Sequence, residues 1–308
     1  MEIILFFALG IFAALVKSDL EIPDQISKAL SIFLLLSIGL KGGYQLGLSD
    51  NLSGFFPLIT IGLGSCLVIP IIYFFLLKNQ LGQNNAGALA ACYGSVSAVT
   101  FITAQSVLDS QSIQYSGYMV ATMALMEIPA IIVGIYLYQK FSIAEKNGNN
   151  FLLFKSIMTS KSVVLLIGGF IIGLTMDSAS WAGISTLIQG SFKGILCFFL
   201  LDLGMLAQRQ LKDILQHKIS ILVVAVVMPI IFGSAAFVVG HYVGLSSGNL
   251  ILLSVLVGSA SYIAAPAAVK SSIPSANPSL FLGLPLALTF PMNLLFGIPY
   301  YIYLTQLL

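Results

Sequence analysis

Gly94-Ser95-Val96-Ser97 interrupts an apolar run of about 26 residues (84–109), where a continuous membrane-length helix is otherwise expected. The same pattern returns as Gly258-Ser259-Ala260-Ser261, 164 residues further on, inside the apolar run 248–270. Gly and Ser hold a buried helix together poorly, so each element reads as a helix break. A break creates a new helix N-terminus with unpaired N–H groups and a partial positive charge of about +0.5. Two breaks of opposite sense would aim two such ends at one midplane region. That makes an anion site without a buried Arg or Lys. The candidate anion-binding residues are therefore Gly94, Ser95, Ser97, Thr100, Gly258, Ser259 and Ser261.

Composition agrees with a bilayer setting. The chain of 308 residues is 58% apolar and 8% charged, with a mean hydropathy of +1.02. A soluble domain carries about 25% charged residues, so a water-facing surface cannot be built from this supply. The net charge of +2 leaves no electrostatic footprint for nucleic acid. Cys66, Cys92 and Cys197 lie in apolar runs without a CxxC spacing and read as packing residues. Two histidines, His217 and His241, stand at segment ends, so a triad enzyme is not expected. No cofactor is implied beyond a coupling ion.

Hydrophobic runs give ten candidate membrane helices at about 3–17, 25–47, 54–77, 84–109, 115–139, 161–177, 183–206, 219–241, 248–270 and 279–306. The first is read as a short membrane helix, not a signal peptide, because it opens on Glu2 and lacks a small-residue cleavage site. The reading is an all-α polytopic membrane protein. Residues 1–140 form a five-helix repeat, 141–160 a linker, and 161–308 a second five-helix repeat. An odd number of helices per half requires the second half to be inverted. Further matches lie near the same offset: Ser37-Ile38-Gly39-Leu40 with Asp202-Leu203-Gly204-Met205, and Pro129 and Gly134 with Pro291 and Gly297. Inverted repeats with interrupted helices are the organisation of many secondary transporters. Eleven of the thirteen Lys and Arg residues fall on the odd-numbered connections. The positive-inside rule then puts both termini outside and the central linker in the cytoplasm. A bacterial inner membrane suits the length.

Glu127 stands mid-helix in Met126-Glu127-Ile128-Pro129, where a carboxylate is expensive and signals function. Pro129 cannot engage the carbonyl of Leu125. Pro291 similarly frees a carbonyl near Thr289 and Asn293, and Pro266 frees that of Tyr262. Oxygen ligands of this kind suit a hard cation such as Na⁺. Glu127, Leu125, Thr289, Asn293 and Tyr262 are thus the coupling-ion candidates. Glu127 also admits a proton-carrying role or a plain interhelical bridge. Asp202 reads as facing water, Lys193 and Lys41 as snorkelling. Lys41 alternatively attracts anions at the outer mouth.

The chain resembles the sodium-dependent bicarbonate permease family first known from cyanobacteria. The likeness is carried by Leu40-Lys41-Gly42-Gly43, Gly94–Phe101 (GSVSAVTF), Met126–Ile131 (MEIPAI) and Ile273–Ser279 (IPSANPS). The resemblance implies ten helices in two inverted repeats, with a gate domain (helices 1, 2, 6, 7) and a core domain (helices 3–5, 8–10). It implies Na⁺/HCO₃⁻ symport by an elevator-like motion, with the anion between broken crossing helices 4 and 9. It adds Asn277 to Glu127 as a core polar group, and suggests a homotrimer. Three departures stand out. Glu127 replaces the family's Asp, and Tyr262 replaces an Asp at the ninth-helix break, which leaves the sodium stoichiometry open. The central segment is short, which leaves a nucleotide-sensing regulatory partner open. A carrier of another small anion and a cation/proton antiporter using Glu127 are the competing readings.

Overall fold

The computed structural model describes residues 2–48, 54–141, 159 and 161–308. The central linker lies outside the described residues apart from Phe141 and Thr159. Among the described residues the chain is helical throughout, with no strand. Helices α1 (Glu2–Leu15), α2 (Asp24–Gly47), α3 (Phe55–Gly94), α4 (Ala98–Ser110), α5 (Tyr118–Glu127) and α6 (Pro129–Phe141) precede the linker. Helices α7 (Lys161–Thr175), α8 (Ser178–Ile214), α9 (Ile219–Tyr242), α10 (Ser247–Val257), α11 (Ala264–Ser272) and the stretch α12 (Ser279–Gln306) follow it.

Six helical stretches among these are long and apolar enough to cross a membrane, and α1, α7 and α10 are shorter apolar helices. Six is fewer than the ten segments expected, for two physical reasons. Three expected segments are short or broken, and residues 55–110 run on as one stretch of 56 residues. That stretch is not straight. Gly82 adopts φ +76°, a conformation open to a residue without Cβ, and turns the chain between two helical arms. Large apolar side chains are exposed along whole faces, Leu67, Val68, Ile71 and Phe75 on α3 among them. Water does not tolerate such a surface, but lipid does.

Glycines let four helices touch backbone to backbone. Gly39 and Gly43 on α2 meet the main chain of α7 at Leu166–Phe170, and Gly173 on α7 meets Leu40. Gly10 on α1 meets Leu201 on α8, and Gly204 on α8 returns the contact to Phe7. Small residues at such crossings are the usual means of close packing in lipid. Helix α3 packs against α6, and Gly134 lies directly on the backbone of Ala91.

The two GSxS elements are breaks, as their composition requires. Helix α3 ends at Gly94, Ser95 and Ser97 are extended, and α4 starts at Ala98. Helix α10 ends at Val257, and residues 258–263 carry the chain to α11 without helix. A third irregularity lies where the sequence reading expected only a carbonyl freed by Pro291. Helix α12 winds as a π-helix over Ser279–Gly283, Pro285–Thr289 and Asn293–Gly297. Pro285, Pro291 and Pro299 each lack an N–H for the ordinary ladder, and the wider winding re-engages neighbouring carbonyls, as Phe290 N–H does with Pro285.

Candidate functional site

The two breaks are cross-braced. The Ser97 N–H donates to Ser259 Oγ at 2.9 Å, and the Ser261 N–H donates to the Cys92 carbonyl at 2.8 Å. Each break therefore supplies a hydrogen bond that the interrupted helix opposite no longer provides. Ser95 Oγ donates to the Glu127 carbonyl (2.9 Å), tying the first break to the end of α5. Asn293 Nδ2 donates to the Gly258 carbonyl at 2.8 Å and ties the second break to α12.

Ser97 is the N-cap of α4. Its Oγ accepts from the Thr100 N–H (3.1 Å) and from Thr100 Oγ1 (2.8 Å), which leaves its own proton to donate. Ser261 Oγ accepts from the Ala265 N–H (3.1 Å) in the first turn of α11 and likewise keeps its proton. The N-terminal ends of α4 and α11 thus face one cavity, lined by Ser97, Ser261, Tyr262 and Glu127 on one wall. Ser31, Leu34 and Leu35 of α2 with Phe199 of α8 form the opposite wall. The cavity measures about 20 Å³, room for about one water, so this conformation is closed to anything larger. Glu127 is 4% exposed, and among the described residues its Oε2 has no hydrogen-bond partner, while the Tyr262 hydroxyl faces the Ser97 hydroxyl.

Of the thirteen sequence candidates four line the cavity, seven build it, and two lie away from it. Ser97, Ser261, Glu127 and Tyr262 line it. Ser95, Thr100 and Ser259 do not; their hydroxyls are spent on bracing, Ser259 Oγ donating to the Leu256 carbonyl at 2.7 Å. Gly94 lies against Pro70 and Ala130, and Gly258 against the Pro229 carbonyl and the Tyr301 hydroxyl, so their role is close packing. Thr289 Oγ1 donates to the Ala225 carbonyl (2.8 Å) and pairs with Tyr93 (2.8 Å), which makes it a brace. Asn293 is also a brace, through Gly258 and Thr289. Leu125, singled out for its main-chain carbonyl, is not among the residues that line the cavity, and its side chain is 44% exposed. Asn277 sits in an exposed loop, its N–H on Asn85 Oδ1 and its own Oδ1 accepting from Ser279. Its amide organises the start of α12 and does not reach the breaks.

Two charged residues also differ from their sequence reading. Lys41 does not snorkel alone: Nζ pairs with Asp109 Oδ2 at 2.9 Å and donates to the Tyr115 hydroxyl at 3.1 Å. Burial and the Asp109 carboxylate push the Tyr115 phenol well above its ordinary pKa, so it stays protonated and donates to Asp109 Oδ1 at 2.9 Å. Asp202 is half-buried and accepts from Ser27 Oγ at 2.5 Å, linking α8 to α2. The far wall was missed altogether. Ser31, which accepts from Lys161 Nζ at 3.1 Å, is one of three serines in α2, and nothing local sets it apart.

Among the described residues no cluster of His, Cys, Asp and Glu is placed to hold a metal ion. A cation here would meet the carboxylate of Glu127 and hydroxyl oxygens, the donor set of a hard monovalent ion.

Paired helix breaks closing on a small polar cavity, inside a body that shows apolar faces outward, define a multi-pass membrane transport protein. The family can be stated as well. The chain belongs to the Na⁺-dependent bicarbonate transporter superfamily, whose sequence profile matches residues 2–306. A comparison with individually curated proteins gives no match.

Proposed function

We propose that the protein carries bicarbonate into the cell together with Na⁺, as a secondary transporter of the elevator type. The observation that carries this reading is the Ser97–Ser259 hydrogen bond, which holds two helix N-termini and one carboxylate on a single cavity. Bicarbonate is a small monoanion with two acceptor oxygens and one hydroxyl. Helix N-termini and the hydroxyl protons of Ser97 and Ser261 suit the acceptors. Glu127 alone would repel the anion, and a Na⁺ between them offsets both charges and the cost of dehydrating each. Na⁺ is cargo and coupling ion; no resident cofactor is invoked.

In this reading the chain crosses the membrane ten times. The two arms of residues 55–110 count separately, and α1, α7 and the α10–α11 pair complete the set. Residues 1–140 and 161–308 are inverted five-helix repeats joined by the cytoplasmic linker 141–160, with both termini outside, in a bacterial inner membrane. Support comes from the glycine contacts, since Gly39 meets α7 as Gly204 meets α1. Helices α1, α2, α7 and α8 then form the gate, and the cross-braced remainder slides along it. The gate domain is also the proposed contact of a homotrimer; no regulatory partner is assigned.

Uptake into liposomes with and without an inward Na⁺ gradient tests the proposal. Gradient-dependent accumulation supports it, and uptake indifferent to Na⁺ refutes the coupling. The unpartnered Glu127 Oε2 also favours one other reading, cation/proton antiport. That reading predicts pH-dependent Na⁺ flux without any need for an anion.

A further inference from the structure

A second cavity, of about 250 Å³, lies between the same three helices that wall the first. It is lined by Ser37 and Lys41 of α2, Gln105 and Asp109 of α4, and Gln189 of α8. The central cavity is lined by α2 at Leu34 and Leu35, by α4 at Ile102, and by α8 at Phe199. On α4 only three positions separate Ile102 from Gln105, less than one helical turn. The two cavities are therefore stacked along one route. Between them lies an apolar seal: Leu35, Ile38, Ile102 and Phe199 are exposed by 4%, 2%, 1% and 3%.

We propose that this larger chamber is an entry site for a small monoanion, held by Lys41, Gln105 and Ser37 before it passes the seal. The inference rests on the transport reading above and adds a second station to it. Its volume equals that of about eight waters at ~30 Å³ each, enough for an anion that keeps part of its hydration.

The sign of the guest follows from which groups have capacity left. Asp109 has both oxygens engaged, Oδ2 by Lys41 and Oδ1 by Tyr115. Lys41 has three protons and spends two, on Asp109 and Tyr115, so one remains. Gln105 is 5% exposed, lines the chamber, and makes no side-chain hydrogen bond among the described residues. Its amide opens onto the chamber with its hydrogen-bonding capacity unspent, which fits a site that receives a polar guest. Ser37, 3% exposed, adds a hydroxyl. Gln105 and Ser37 offer donors and acceptors alike, so the Lys41 ammonium sets the sign. A cation would meet the Lys41 ammonium, whereas an anion is received by it. Asp109 competes with the guest for Lys41, which keeps the hold weak and lets the anion move on.

The test is bicarbonate uptake into liposomes as a function of external concentration and ionic strength. Lys41→Met is expected to raise KM about tenfold, the loss of one charge-assisted hydrogen bond, with Vmax within about twofold. Asp109→Asn is expected to lower KM about two- to threefold, because Lys41 is released to the guest. Lys41→Arg keeps the charge and should hold KM within about threefold of the wild type. Added salt should raise the wild-type KM and leave that of Lys41→Met nearly unchanged. If the trio were only a tie between α2 and α4, Lys41→Met and Asp109→Asn would shift uptake in the same direction, and that result overturns the inference. Lack of any KM change in a monodisperse Lys41→Met protein overturns it too. A wild type that carries a different small monoanion, with the same order of variants, supports the entry site and refutes the bicarbonate reading. A wild type without any anion flux refutes both.

Discussion

Ser259→Ala removes the acceptor of one of the two hydrogen bonds that brace the breaks against each other. Ser259 and Ser97 are 2% and 3% exposed, so the Ser97 N–H left behind has no water to turn to. Leu256, which also loses the Ser259 hydroxyl at 2.7 Å, keeps the Ser259 backbone N–H at 3.2 Å. The net damage is therefore one orphaned buried donor, worth about 1–3 kcal/mol. That is a measurable part of a total stability of about 5–15 kcal/mol and too little to unfold the protein. Cys66, Cys92 and Cys197 are all buried, so a thiol-reactive dye reports the thermal transition directly. The transition of Ser259→Ala should fall clearly below the wild type. Ser185→Ala, at a half-buried helix position with a single 3.3 Å bond to the Ala182 carbonyl, should lie within about 0.5 kcal/mol of it. Exchange of the Ser97 amide should accelerate in Ser259→Ala alone. A Ser259→Ala protein as stable as Ser185→Ala, with its Ser97 amide still protected, would refute the cross-brace.

Glu127→Gln keeps the shape and removes the charge, so bicarbonate uptake should lose most of its Na⁺ dependence; uptake rates at varied Na⁺ check this. Gly43→Val places a branched side chain against the Phe170 backbone, which cannot yield, so the α2–α7 contact should open and the thermal transition fall by at least as much as for Ser259→Ala. Asp177 caps α8 by accepting from the Ser180 N–H at 2.8 Å, and these hydrogen bonds hold its carboxyl below the usual range. A depressed folded pKa gives a contribution present above the unfolded value of about 3.9 and lost as pH falls through the folded value. Hydrogen exchange in the first turn of α8 should therefore accelerate on acidification in the wild type. In Asp177→Asn, which caps without ionising, that acid dependence should disappear.

The breaks were legible because Gly and Ser stand out against an apolar run, and both GSxS elements do end helices. Glu127 was legible for the same reason, as a charge where none is cheap, and it lines the cavity. The direction of a hydroxyl is another matter. Ser95, Thr100 and Ser259 have the composition of ligands, yet their oxygens point into the protein and hold the breaks together. Lys41 looked solitary because its partner Asp109 lies 68 positions away and is brought near only by packing. The far wall at Ser31 and Phe199 is likewise a product of helices meeting. The π-winding of α12 follows from three prolines whose effect depends on which carbonyls remain in reach, and a linear pattern does not disclose that.

The most direct measurement is bicarbonate accumulation in liposomes under an inward Na⁺ gradient, for the wild type and for the double variant Ser97→Ala/Ser261→Ala. The account predicts concentrative uptake by the wild type that collapses with the gradient, and loss of that uptake in the double variant although it remains folded. Undiminished uptake by the double variant would contradict the account, because the paired helix ends would then not be where the anion is held.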